Sequence, residues 1–545
     1  MNPQAAPNPE IASGPGRVLV LGGGGREHAL VWSIARDAAV EAVIVAPGSD
    51  AIGDEPKVRC VAGVSAMDPA AVVDLATTEN VDLVVVGPEA PLAAGVVDAL
   101  IDAGIPTFGP IRAAARIEWS KAFCREVAAS AGVRMARGRD FAEFEPALAF
   151  ARELAAMRDS CGVVVKADGL MAGKGVTVCD HAAEAEAALR SLFANLPGDK
   201  RPDEKAAGPA SRIPEAEPPV VVVEERLIGA EASLIALCDD HGALALPAAR
   251  DHKRLLDEDA GPNTGGMGAY SPVPDLPDGL CATLIDVIHL PIIAELARRG
   301  APFRGALYAG LMLTPEGPVL IECNARFGDP EVQALLPRLA VPLGPLLMGA
   351  AQGDLAGAAA ALGLQGRMLP TTGDAAVAIV LAAANYPDPP RRGDAISGLE
   401  EAAATGATVF HAGTTRGPDG QYRTDGGRVL SVVGLGTTVT AARANAERAA
   451  GMISWHGMQR RHDIAARLPA AASSKLRAAS PAPIAPGDWE TGGPTEPAAP
   501  EAPPEAPRAP TSRDSRGGVT ERVAPEAPPE APRAPTSRDS RGGAS

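Results

Sequence analysis

From residue 17 to about 117, short β-branched apolar runs alternate with helical windows. The run at 18–21 ends in the four glycines 22–25, the run at 43–46 ends at Pro47-Gly48, and the run at 83–86 ends at Gly87-Pro88. A helical stretch over 26–35 follows the first of these turns. Runs apolar on both faces and separated by helices predict a parallel α/β sheet. Ligands of such sheets sit beyond the carboxyl ends of the strands, where all three turns fall. From about 119 to 345 the pattern becomes α+β with several Gly-rich loops, and the polar, Pro-punctuated stretch at 198–219 reads as an exposed loop. A third block, 346–470, has strand candidates at 375–381, 408–411 and 429–433 and a helix at 440–453, which predicts a small antiparallel α+β unit. The chain therefore divides into an extension at 1–16, three folded domains at 17–118, 119–345 and 346–470, and a tail at 471–545.

The tail differs in kind. Residues 470–545 contain 15 prolines, well above the average share of about 5%. The unit APEAPPEAPRAPTSRDSRGG occurs at 499–518 and again at 524–543. Two copies without apolar faces cannot stack into a solenoid, so the tail, like the 1–16 extension, is read as disordered and partly polyproline II. Its alternative role is as a Pro-rich ligand for an unidentified partner. Residues 1–16 lack Lys, Arg and an apolar core, which excludes a secretory signal. No run reaches the roughly 18 apolar residues of a membrane span. The expectation is a cytoplasmic chain without a membrane partner. A net charge of −17 repels phosphate backbones and argues against nucleic acid. Seven scattered cysteines with no C-x-x-C pair give neither a zinc site nor a disulfide framework.

Only eight of the 50 basic residues are lysines. A lysine retained against that bias marks a place where a compact ammonium does what a guanidinium cannot, and four of them fall in motifs with other functional groups. The first motif is the glycine run 22–25 followed by Arg26, Glu27 and His28. Glycines between strand and helix let backbone N–H groups approach an anion. The G-x-G-x-x-G spacing fails, because its third glycine falls on Glu27 or His28. A phosphate or phosphosugar is favoured over a dinucleotide, with a ligand-free tight turn as the alternative.

The second motif, KADGLMAGKGV at 166–176, follows the apolar strand at 163–165. Asp168 stands where a P-loop would need glycine, and Gly175 where it would need Ser or Thr. Lys166 on the strand and Lys174 on a glycine loop instead read as a flap over a triphosphate. The third, VVVVEERL at 220–227 with Glu231 beyond it, offers backbone groups to an adenine edge and a carboxylate to a ribose; a solvated acidic turn would look the same. In the fourth, LIECNARFGDPE at 320–331, strand alternation puts Glu322, Asn324 and Arg326 on one face. Glu322 and Asn324 are hard-oxygen donors suited to Mg²⁺, and Arg326 to an anionic substrate or intermediate. DHKR at 251–254 and the stretch at 261–272 are dense in functional groups; the second, with four glycines in twelve residues and no helical or strand period, reads as a loop shaped for close approach to a ligand. His28, His411 and His456 read as structural, and no Ser/His/Asp or Cys/His set supports acyl-enzyme chemistry.

Together with VVGPEAPL at 85–92, LYAGLM at 307–312 and TDGGRVL at 424–430, these motifs resemble the ATP-grasp superfamily and, in order and wording, its phosphoribosylamine–glycine ligase family. The resemblance spans about 17 to 466. It implies an N-terminal parallel α/β (pre-ATP-grasp) domain, an ATP-grasp domain with a mobile lid at roughly 138–223, and a small C-terminal α+β domain. It implies ligation of glycine to 5-phosphoribosylamine with ATP and Mg²⁺ or Mn²⁺, by a monomer. Arg326, Lys166 and Lys253 would be catalytic, and Glu322 and Asn324 would hold the metal. Lys121, Lys166, Asp168, Gly173, Lys174 and Gly175 would meet ATP, with Glu224, Glu225 and Leu227 at its adenine and Glu231 at its ribose. Glycine and the aminosugar would lie against Gly23, Gly24, Arg26, Glu27 and Glu89, and against Asp251, Asn263, Gly265, Gly266 and Met267. Departures from the family's wording, such as Ser49, Trp119 and Cys323, remove no charged group. The alternatives are another ATP-grasp ligase or carboxylase, an oxidoreductase built on the first domain, and a scaffold using the tail.

Overall fold

The computed structural model describes residues 14–157, 160–169, 175–195 and 220–469. Gly173 and Lys174, the 198–219 loop, the tail from 470 and residues 1–13 of the N-terminal extension lie outside the described residues. All described residues belong to one unit, Met1–Thr491.

The first apolar runs form strands β1 (Arg17–Gly22), β2 (Ala42–Pro47), β3 (Val58–Cys60), β4 (Leu83–Val86) and β5 (Thr107–Phe108). They pair in parallel in the order β3-β2-β1-β4-β5. Residues 18–21 and 83–85 are sealed from solvent because helices cover both faces of the sheet. The order reverses direction at β1, and at that switch point the turns converge: Gly48 N donates to Gly22 O at 3.1 Å and Gly87 N to Leu21 O at 3.1 Å.

A second sheet, antiparallel throughout, contains β6 (Gly138–Phe141), β7 (Val163–Ala167), β8 (Val176–Cys179) and β9 (Val221–Glu225) in the order β6-β9-β7-β8. Helices Phe144–Ala156 and Ala182–Asn195 cover one face, where Val163, Val165, Val221 and Val223 meet Leu148, Leu154 and Leu189. Alternation turns Lys166 to the opposite face. There it stands across from Val222 and diagonal to Glu224, which pairs with Val164.

The third sheet joins β10 (Ala230–Cys238), β11 (Ala243–Ala245), β16 (Gly305–Thr314) and β17 (Gly317–Asn324) in the antiparallel order β11-β10-β16-β17. It is backed by the continuous helical stretch Asp278–Arg298, which by length and composition alone is apolar enough to cross a bilayer. In the fold it is a core element: 56% of that window is buried, and fully buried His289 sets Nε2 3.3 Å from Leu234 O on β10.

The remaining strands are β12 (Arg250–Asp251), β13 (Arg254–Leu256), β14 (Ala260–Asn263), β15 (Gly268–Ser271), β18 (Ala375–Ala382), β19 (Thr408–His411), β20 (Thr414–Arg416), β21 (Tyr422–Thr424) and β22 (Arg428–Gly436). A five-stranded antiparallel sheet runs β12-β15-β18-β22-β19, while β13-β14 and β20-β21 form two-stranded ribbons. The antiparallel sheet read for the third block is present, and it extends further than its own segment. β15 comes from the stretch 261–272 that the pattern assigned to a loop, and it pairs with β18 from Gly268↔Ile379 to Ser271↔Ala376. Gly-rich wording hid this strand, since glycine weakens strand signals. Helix Val439–Ala450 packs on β22 so closely that a Cβ at Gly434 would stand 2.3 Å from Ala446 N. Only glycine permits that approach.

Candidate active site

Glu322 and Asn324 lie at the end of β17, where a bulge interrupts the ladder with β16: Gly310 faces Glu322, yet Leu311 faces Leu320. The extra residue is Ile321, and a bulge frees its peptide from regular pairing. Its carbonyl accepts from Lys166 Nζ at 3.2 Å. Lys166 also pairs with Glu224 Oε2 at 2.5 Å, and Glu224 Oε1 takes Arg125 Nη1 at 2.6 Å. The second sheet thus delivers an ammonium to the edge of the third.

Lys253 reaches the same place from between β12 and β13, with Nζ 2.9 Å from Glu231 Oε2 and 3.6 Å from Glu322 Oε1. The electrostatics follow. The Lys253 ammonium holds the Glu322 carboxyl below the usual range despite burial, aided by Lys166, Lys121 and Arg326. Burial alone would lower Lys253, but Glu322 and Glu231 push it well above an ordinary lysine. Burial lowers Lys121, only partly offset by Glu322 and Asp168. Four cations therefore act on the Glu322 carboxylate, three of them also held by other carboxylates, so the site gathers the ammonium and guanidinium groups that a polyphosphate would engage.

Whether a metal fits is a matter of donor chemistry. Glu322 and Asn324 offer oxygens, and the Glu322 side chain remains 39% exposed. Among the described residues no group of three or more His, Cys, Asp or Glu side chains forms a cage. The pair fits a Mg²⁺-like ion that brings phosphate oxygens and water as its other ligands.

Arg326 stands two residues beyond the end of β17 at Asn324, with its guanidinium still acting on Glu322. Ala325 N, just past the strand's end, donates to Glu118 Oε2 at 2.8 Å. Arg326 then pairs through Nη2 with Glu118 Oε1 at 3.0 Å and through Nε with Glu89 Oε2 at 3.5 Å. Burial raises the Glu118 carboxyl above the usual range, with Arg326 opposing. Burial would raise Glu89 as well, but Arg326 and Arg26 hold it below. Glu118 was not among the expected site residues; its one signal was its place three residues before Lys121.

In the first domain, Arg26 is buried against Glu27 Oε1 (2.8 Å), Phe327 O (3.1 Å) and Glu89 Oε2 (3.7 Å). Glu27 Oε2 accepts from Gly24 N at 2.7 Å, so this carboxylate organises the turn. A Cβ at Gly23 would stand 2.5 Å from Gly48 O, which shows how closely the turns after β1 and β2 approach.

Several expected ligand side chains are already engaged. Asp168 accepts from Lys121 N, Ala122 N and Ser120 Oγ and so caps helix Lys121–Ser130, while Lys121 Nζ donates to Gly169 O at 3.3 Å. Glu224 is 3% exposed between its two cations. Glu225 accepts from Arg137 N at 2.9 Å. Leu227 is half-buried just past β9, Gly175 is buried just before β8, and Glu231 is exposed on β10. On the substrate side, Asn263 ends β14, Gly265 is exposed, and Gly266 and Met267 are buried. Asp251 lies against Gly266, where a Cβ would be 2.8 Å from its Oδ1. Burial, with repulsion from Glu331, raises the Asp251 carboxyl well above its usual range.

A four-stranded antiparallel lid sheet and a second antiparallel sheet, holding lysines and a carboxylate–amide pair between them, define an ATP-grasp fold. The chain belongs to the phosphoribosylglycinamide synthetase family: residues 16–118 match its N domain, 119–332 its ATP-grasp (A) domain and 376–467 its C domain. It is 45% identical over 457 residues to phosphoribosylamine–glycine ligase of Streptomyces coelicolor, covering 83% of this chain and 99% of the relative. The Vibrio parahaemolyticus ligase is 42% identical over 453 residues, covering 83% and 98%. The crystal structure of phosphoribosylamine–glycine ligase from Thermotoga maritima superposes with a TM-score of 0.64 at 29% identity, covering 82% of this chain and all of that one.

Proposed function

We propose that the chain joins glycine to 5-phosphoribosylamine at the expense of ATP, giving glycinamide ribonucleotide, ADP and phosphate, an early step of purine synthesis. The observation that carries this reading is the gathering of Lys121, Lys166, Lys253 and Arg326 around Glu322 in a chain of this family. Small molecules are its partners, and it works as a monomer in the cytoplasm.

The glycine carboxylate oxygen attacks the γ-phosphorus and ADP leaves, forming glycyl phosphate. The sugar amine then attacks the acyl carbon, phosphate leaves, and the amine loses a proton to solvent. Lys166, fixed by Glu224 and the Ile321 carbonyl, and Lys121 beside it meet the nucleotide's phosphates. Glu322 and Asn324 would hold a divalent cation, which when bound would supply neutralising charge for the phosphoryl group. Arg326, anchored by Glu118, presents its guanidinium to the glycine carboxylate and the acyl phosphate made from it. Lys253 stays protonated between Glu231 and Glu322 and adds charge on the same side. The lid sheet keeps water from the acyl phosphate.

Coupled ADP release with each substrate omitted in turn tests the reading. Turnover is expected to need Mg²⁺-ATP, glycine and phosphoribosylamine together. ADP release indifferent to glycine contradicts it.

A further inference from the structure

We infer that Tyr386 and Arg428, both contributed by the third domain, are positioning residues that set the tip of the substrate loop; this deepens, and rests on, the ligase reading. The loop's flanks are tied to the neighbouring segment by backbone bonds, Thr264 N to Lys253 O and Met267 N to His252 O, both at 2.8 Å. Between those bonds lies the tip, Gly265-Gly266. Its exposed residue, Gly265, has both backbone groups taken by third-domain side chains: its N–H donates to Tyr386 Oη at 2.9 Å, and its carbonyl accepts from Arg428 Nη1.

The same guanidinium spans to the segment after β17. Nη1 donates to Asp329 O at 2.7 Å and Nη2 pairs with Asp329 Oδ2 at 3.0 Å, while Gln333 Nε2 holds Asp329 Oδ1 at 2.8 Å. One planar fork thus locks the loop tip to the segment that follows Arg326. Lysine keeps the charge but cannot reproduce that spread of donors. The tip has little room to move without consequence. A Cβ at Gly266 would meet Pro330 Cδ at 2.4 Å and Asp251 Oδ1 at 2.8 Å, and that buried Asp251 oxygen has no hydrogen-bond partner among the described residues. Tyr386 is seated by a matching constraint, since a Cβ at Gly427 would lie 2.5 Å from its ring. The third domain therefore fixes where the loop tip packs against Asp251, and with it how that carboxyl meets the non-nucleotide substrates.

The test uses Tyr386→Phe and Arg428→Lys in the full chain, with steady-state kinetics for each substrate and hydrogen exchange of the 261–268 amides. Each variant is expected to raise KM for glycine or for phosphoribosylamine about ten-fold, to leave KM for ATP and Tm near wild type, and to speed exchange at the loop tip. Unchanged KM for both substrates overturns the inference, as does a parallel rise in all three KM values with a lowered Tm. If the wild-type chain does not require glycine and the aminosugar, the ligase reading fails instead. The exchange measurement then still decides the clamp, because wild-type-like exchange in Tyr386→Phe would refute it.

Discussion

Glu322→Ala is expected to lower glycine-dependent ADP release by about a thousand-fold while leaving the thermal midpoint within a few degrees of wild type. The carboxylate stands at a strand end, 39% exposed, so removing it opens no core cavity. Lys253 keeps Glu231 at 2.9 Å and is not left unpaired. What disappears is the carboxylate on which Lys253, Lys166, Lys121 and Arg326 all act, and with it the charged one of the two oxygen donors for the cation. Steady-state kinetics at saturating Mg²⁺-ATP, beside a thermal melt, separate the two effects. If Glu322 served only as a counter-ion for Lys253, activity would survive within about ten-fold, since a half-exposed ion pair is worth little.

Arg326→Met is expected to damage both chemistry and stability. Arg326 is the shared partner of Glu118 and Glu89, and Glu118 is nearly sealed from solvent with a 6% exposed side chain. Removing one member of a buried pair leaves an uncompensated charge and typically costs about 3–5 kcal/mol. The sign of the pH dependence is fixed by Glu118. Its folded carboxyl already titrates above the ordinary value because of burial, and loss of the guanidinium raises it further. A carboxyl raised on folding opposes the fold as pH climbs through its folded value and not below its unfolded value. Urea denaturation should therefore show the deficit against wild type widening from pH 5 to pH 8. A deficit independent of pH would mean that lost packing, not the stranded carboxylate, dominates.

The sequence pattern exposed the parts of this protein that are locally encoded. β-branched runs ending in glycine marked β1, β2 and β4, because a strand buried on both faces must be apolar throughout. Scarcity of lysine drew attention to Lys166 and Lys253, and both stand at the site. Other features depend on contacts no period can report. Alternation singled out Arg326 but not Glu118, which meets both that guanidinium and the Ala325 N–H from a segment distant in the chain. The resemblance placed Asp168, Glu224 and Glu27 against ligands; no period shows that each also braces the backbone or a neighbouring cation. Arg428 reaches Gly265 across 163 residues of chain, and nothing in either segment announces the pairing. Strand β15 escaped notice for a related reason: its partner β18 lies in a different block, and the glycines in and around it mask the strand pattern.

The central claim is that these elements bring a carboxylate of glycine to the terminal phosphate of ATP. Glycine labelled with ¹⁸O in its carboxyl group tests it most directly. If glycyl phosphate forms and is displaced by the amine, one labelled oxygen must leave with each phosphate, and mass spectrometry of the released phosphate should find it. Phosphate free of label, with its new oxygen drawn from water, would contradict the account.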